Sequence, residues 1–104
     1  MKARLFIDED HIGDVDLRII DESMGGIGGE LQPNHRYGNY VHRITACYEE
    51  KGIANILDFN FVLMGDTDVR IVAVGGIGIT HAAGSTEIYV EAAGVTVDVI
   101  KKCR

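Results

Sequence analysis

The apolar positions of this chain change their period twice. Short apolar stretches at Arg4 to Ile7 and Val15 to Ile20 have the length and content of strands, and the polar run Asp8 to Asp14, which holds Gly13, reads as the turn between them. The run Met24-Gly25-Gly26-Ile27-Gly28-Gly29 is too rich in glycine for a helix or a stable strand. Then Tyr37, Tyr40, Val41, Ile44, Cys47 and Tyr48 recur at the spacing that puts them on one stripe of an amphipathic helix. The helix is predicted over 34–51, with Pro33 suited to its first turn and Gly52 just past its end.

Beyond Gly52 the period returns to two. Strands are expected at Ile56 to Met64 and Val69 to Val74, joined by a turn at Gly65-Asp66-Thr67. A second glycine loop, Gly75-Gly76-Ile77-Gly78, and a loop from His81 to Ser85 follow. Glu87 to Glu91 and Val95 to Ile100 alternate apolar with polar residues, which predicts a hairpin around Ala93-Gly94. About six strands and one helix make an α+β domain. One helix covers that many strands only if the sheet curls, so a strongly curved antiparallel sheet rolled around the helix is expected, in a single compact domain 1–104 with the glycine runs as bends.

The chain also echoes itself. Gly13-Asp14-Val15-Asp16-Leu17-Arg18-Ile19-Ile20 aligns with Gly65-Asp66-Thr67-Asp68-Val69-Arg70-Ile71-Val72, and the Gly-Gly-Ile-Gly of 25–28 recurs at 75–78. The ordered recurrence raises an internal repeat, 1–52 against 53–104, with Arg18 and Arg70 in matching places beside carboxylates. Convergence of hairpins on Gly-Asp turns and β-branched strands is the competing account.

Composition narrows the classes. The chain is 46% hydrophobic and 25% charged, an ordinary globular mixture, and no apolar run approaches the ~20 residues of a membrane helix. The N-terminal apolar stretch is too short for a signal sequence. Net charge is −6, and Asp8, Glu9, Asp10, Asp14 and Asp16 stand together without a lysine or arginine among them. That balance lacks a nucleic-acid footprint and gives a membrane surface no anchor. It would favour a basic protein partner, and these five residues are the interaction candidates. Cys47 and Cys103 are too few for a disulfide framework and have no Cys-x-x-Cys spacing, which points to a reduced, cytoplasmic setting.

Candidate chemistry is thin. Asp14 with Asp16 and Asp66 with Asp68 are paired carboxylates near turns, but neither pair meets the EF-hand pattern, and each has an arginine two residues on to compensate it. No metal is expected there. Of His11, His35, His42 and His81, only His81 sits among small residues next to hydroxyls, at Ser85 and Thr86, and it is the weak candidate for a base or ligand contact. The glycine runs match neither a dinucleotide fingerprint nor a phosphate loop, so no cofactor is expected. Tyr37, Tyr40 and Tyr48 are core residues by spacing, or a pocket or interface wall where the sheet leaves them uncovered. Two functional classes follow. One is a non-enzymatic acidic interaction domain, of inhibitor or immunity type or a homodimer. The other is a small-molecule-binding or metal-assisted enzyme with its pocket between helix and sheet and His81 as the key polar residue.

Overall fold

The computed structural model describes residues 1–104. In chain order the elements are β1 (Lys2–Ile7), β2 (Asp10–Asp16), β3 (Arg18–Asp21), β4 (Gly26–Pro33), a 3-10 turn (His35–Asn39), α1 (Val41–Lys51), β5 (Phe61–Gly65), β6 (Arg70–Ile71), β7 (Gly76–Thr80), β8 (Tyr89–Ala93) and α2 (Val97–Lys102). The strands form one strongly curled antiparallel sheet in the order β6-β5-β1-β2-β4-β8-β7, with β3 also on β4. The expected α+β class therefore holds, with eight strands rather than six and a second short helix.

β2 and β3 behave as one strand interrupted at Leu17. Gly13 stands opposite Pro33 and Arg18 opposite Gly28, so the register against β4 carries through the break unchanged. Met1 carries the β1 pairing past this point in the register of Lys2 with Asp16: its carbonyl accepts from the Leu17 amide at 2.8 Å, and its ammonium donates to the Leu17 carbonyl at 2.8 Å. On its other side β4 pairs with β8, Ile27 opposite Ala92 and Glu30 opposite Tyr89. β7 pairs with the far side of β8, again placing an isoleucine, Ile77, opposite Ala92. The two Gly-Gly-Ile-Gly runs thus flank β8 at the same level. Their upstream partners differ, since Gly13 lies within β2 while Gly65 ends β5. The free edge of β7 is closed by Ala54, which exchanges hydrogen bonds of 2.9 and 2.8 Å with Ile79.

Both glycine runs are mostly strand rather than loop: Gly26 to Gly29 and Gly76 to Gly78 pair in the sheet, and Met24, Gly25 and Gly75 stay in turns. The intrinsic cost of glycine in a strand is overridden by the spacing it permits. A Cβ on Gly29 would collide with the Asp16 carbonyl oxygen, and one on Gly28 would lie 2.7 Å from the Val90 carbonyl oxygen. Only side-chain-free residues let β4 pass this close to its neighbours. The first turn is correspondingly shorter than expected. Asp8 and Glu9 alone make it, with Asp8 at a positive φ of 54°, and Asp10 to Asp14 belong to β2, where Ile12 and Val15 reach the core.

The helical stripe is broken into two pieces. Pro33 ends β4, Asn34 caps the 3-10 turn by accepting from the Arg36 amide at 2.9 Å, and the α-helix starts only at Val41. Gly52 terminates it in the left-handed region at φ 84°, as expected of a residue without a Cβ. Downstream, Asn55 to Asn60 is a turn rather than strand. There Asp58 accepts from the Asn55 amide at 2.9 Å and Asn55 from the Leu57 amide at 2.9 Å, satisfying the backbone locally. Of Val69 to Val74 only Arg70 and Ile71 pair with β5. The expected strand Val95 to Ile100 is helical. Thr96 caps α2 by accepting from the Val99 amide, Asp98 sits in its first turn, and Lys101 and Lys102 sit in its last.

Ile44, in the first turn of α1, is 0% exposed and belongs to the core with Leu5, Leu63, Ile79 and Val90. Ile44→Ala should lower stability by about 2–5 kcal/mol in a denaturant melt. A loss under about 0.5 kcal/mol would mean that α1 is not packed into the curl of the sheet.

Candidate functional site

Leu5, Val15, Leu31 and Val90 bury one face of the sheet in the core, and the opposite face stays open. On that outer face lies the largest hollow, a groove of about 1040 Å³ over β1, β2 and β4, floored by Gly28 and Gly29 and edged by Arg4, Arg18, Glu30 and Tyr89. A smaller hollow of about 340 Å³ continues from it over β8 and β7, and Ile20 is common to both. No residue of α1 lines the groove or the smaller hollow, and Ile44 of α1 is buried in the core rather than on a pocket wall.

The charges of the groove are sorted. Lys2 and Arg18 both reach Asp16, at 3.8 and 3.7 Å, and Met1 donates to the same carboxylate at 3.3 Å. The bond from the N-terminal ammonium, aided by the two side-chain cations, holds Asp16 below the usual carboxylate range. Its stabilising contribution is present above the ordinary carboxylate pKa and is lost as pH falls through the lowered folded value. Arg4 is bonded to Asp68 across the β5–β6 turn. This corrects the expected local pairing, because Arg70 is in no ion pair and Asp68, at φ 59°, sits in a turn rather than alternating along a strand. Glu30 and Asp66, which face the same groove, have no cationic partner.

The five acidic interaction candidates are not one patch. Asp10 accepts from Arg36 at 2.8 Å and from the Tyr40 hydroxyl, tying the 3-10 turn to β2. That hydroxyl's own pKa is raised, first by its bond to Asp10. Asp14 accepts from His11 Nε2 at 2.8 Å, and the same nitrogen faces the Gly13 carbonyl at 3.0 Å. Two acceptors around one nitrogen fix the proton there. Asp8 and Glu9 alone stay unpaired, at the far end of the β1–β2 hairpin beside Asn60.

His81 is 6% exposed and is no surface-loop residue. Its Nε2 donates to the Ser85 carbonyl at 2.8 Å, so Nδ1 keeps its lone pair and accepts from the Tyr37 hydroxyl at 2.7 Å. Both ring nitrogens are thereby engaged. The Ser85 hydroxyl is engaged elsewhere, accepting from the Glu87 amide at 3.1 Å. Burial raises the Tyr37 pKa strongly, which keeps its hydroxyl protonated as the donor. The tyrosines therefore divide: Tyr37 is buried, Tyr40 half-buried edge-on to Phe59, and Tyr48 exposed at the margin. Cys47 and Cys103 are free thiols whose pKa is raised by burial, the behaviour of packing groups rather than nucleophiles. No three His, Cys, Asp or Glu side chains converge as a metal group would require.

The pairing of His81 with Tyr37, and of Asp10 with Arg36, joins residues 44 and 26 positions apart and leaves no local trace in the sequence. The outer-face groove had one indirect signal, the alternation of Glu87, Tyr89 and Glu91 with buried residues. No protein-family model, curated protein or solved structure matches this chain.

Two outcomes follow. Tyr37→Phe leaves a buried imidazole nitrogen without its donor and should lower stability by about 1–3 kcal/mol. An unchanged urea midpoint would show that the hydroxyl is dispensable. Millimolar Ca²⁺ or Mg²⁺ should leave Tm within about 1 °C, because Asp14, Asp16 and Asp68 already have partners. A rise of several degrees, abolished by Asp14→Asn or Asp66→Asn, would show a cation site instead.

Proposed function

We propose that this chain is a non-enzymatic interaction domain that takes a basic protein partner on the outer face of its curled sheet. The observation that carries this reading is the sorting of charge on that face. Lys2, Arg4 and Arg18 each stand beside a carboxylate, Asp16 or Asp68, whereas Glu30, Asp66 and Glu91 have no cation beside them around an open groove. With a net charge of −6, the field favours a basic partner and disfavours a polyanion such as nucleic acid. A carboxylate face of this kind raises the association rate and selects partners by charge more than it adds affinity. No helix is long and apolar enough to cross a membrane. The engagement of both His81 nitrogens supports binding over acid–base catalysis, since a general base needs a lone pair free for substrate.

The site differs from the acidic turn that the sequence favours. Asp10 holds the 3-10 turn in place, so a change there acts on the fold as well as on charge. Stopped-flow association with lysine- and arginine-rich peptides separates the alternatives. The combined change Glu30→Gln, Asp66→Asn and Glu91→Gln should slow association about tenfold at low salt, with a much smaller effect at 0.15 M. Stability should stay within about 0.5 kcal/mol, because all three residues are exposed. Asp8→Ser with Glu9→Ser should have little effect. The reverse pattern would place docking at the hairpin tip, and association indifferent to salt and to both sets would rule out a charge-read partner. Sedimentation of the chain alone tests a second copy as the partner.

A further inference from the structure

We propose that the smaller hollow, over β8, is a subsite for an arginine side chain of that partner, with Glu91 as the group that receives the guanidinium. The inference rests on the outer-face reading above and narrows it to one residue type. Glu91 has a glycine opposite it on each side, Gly28 on β4 and Gly78 on β7. In a sheet, the groups that normally compete for an outward carboxylate are its cross-strand neighbours. Here neither neighbour has a side chain, and Glu91 makes no ion pair.

The space left by the two glycines is walled rather than empty. The end of Ile20 lies where a Cβ on Gly28 would be, and the end of Ile53 where a Cβ on Gly78 would be. The backbones of β4 and β7 are two strand spacings apart, about 10 Å, with Glu91 on the strand between them. The hollow is therefore a slot with an isoleucine on either side and a carboxylate in its floor, extended outwards by Met24 and Ile56. Its volume, about 340 Å³, is in the range of small-ligand sites.

The chemistry of the lining selects the occupant. It holds two carboxylates, Glu91 and Asp21, and no lysine, arginine or histidine. The Asp21 carboxylate is already used within its own turn, where it accepts from the Ser23 hydroxyl at 2.8 Å and the Met24 amide at 3.2 Å. Both bonds go to Asp21 Oδ1, whereas Glu91 has neither oxygen engaged and stands between the two isoleucine walls. Ile20, Met24 and Ile56 are 51%, 69% and 57% exposed, an apolar rim that the isolated chain leaves wet. A ligand that covers such a rim and ends in a cation has an apolar stem and a charged head. Arginine fits better than lysine because its planar guanidinium is weakly hydrated, lies flat between apolar walls and meets a carboxylate with two parallel N–H donors.

The test is an NMR titration of the intact chain with the peptide acetyl-Gly-Arg-Gly-amide and its citrulline and lysine counterparts. The arginine peptide should shift the amides of Gly28, Gly78 and Glu91 saturably. The citrulline peptide, isosteric but uncharged, should bind about tenfold more weakly, and Glu91→Gln should weaken the arginine peptide by a similar factor. Ile53→Ala should weaken it while leaving the charge intact. Glu91→Gln is an exposed isosteric change, so an unaltered melting curve separates loss of the site from loss of the fold. Equal binding of arginine and citrulline, indifference to Glu91→Gln, or shifts confined to another surface would each overturn the subsite. Longer basic peptides that still bind through Glu30 and Asp66 in that case would leave the outer-face reading standing. If those fail too, both readings fall. A lysine peptide binding as tightly as arginine would overturn the assignment to guanidinium.

Discussion

β4 is hydrogen-bonded along both edges, and the rest of the sheet depends on how closely it can approach its neighbours. Its first half lies between β3 and β8 and its second half against β2. The Asp16 carbonyl presses on Gly29 from one side and the Val90 carbonyl on Gly28 from the other. A side chain at either place would push a strand away and open the sheet where it curls most. The curl brings β7 round to the segment after α1, where Ala54 closes its edge, and it gives the single long helix a concave surface on which Ile44 can be fully buried. The core is thus a consequence of backbone proximity in one strand.

The same glycines shape the outside. A sheet face ordinarily carries a side chain at every second residue of every strand. Over β4 and β7 that cover is missing at Gly28 and Gly78, and the space is taken by side chains from outside the two strands, Ile20 and Ile53. Hollows therefore form on a sheet face that regular side chains would have filled. The hollows and the curl have one cause, so changing Gly28 to fill the groove would also disturb the register that holds the sheet.

The class of fold was legible because period and length suffice for it. A helical stripe, several short alternating segments and one helix too few to cover them imply a curled antiparallel sheet. The elements missed were those in which long-range packing overrides local preference. Glycine is a poor strand former by itself, and nothing near Gly28 or Gly29 announces that Val90 and Asp16 will lie against them. Val95 to Ile100 alternates like a strand, yet Thr96, Asp98, Lys101 and Lys102 are the residues of a capped and charge-complemented helix, and the end signals outweigh six residues of period. The helix stripe was right for Tyr40 to Lys51 and too long at its start. Asn34 caps a turn that begins at His35 and keeps 3-10 geometry to Asn39, and the α-helix needs a second start at Val41.

Charge was the least legible feature, and the reason is general. A run of acids in sequence has no sign of its own until its partners are known, and those partners come from distant elements. Asp10 is met by Arg36, Asp16 by Met1, Lys2 and Arg18, and Asp68 by Arg4. Each pairing makes a carboxylate a fastening of the fold. The carboxylates left without a cation are those whose neighbours cannot supply one, and on the outer face these stand beside glycines or in turns. Net charge and free charge therefore do separate tasks. On the proposed reading, the −6 of the whole chain would act on a basic partner from a distance, whichever acids contribute to it. On the same reading, the orientation in which that partner docks would be set at contact by Glu30, Asp66 and Glu91, because a carboxylate without a cation beside it gains most from a new one.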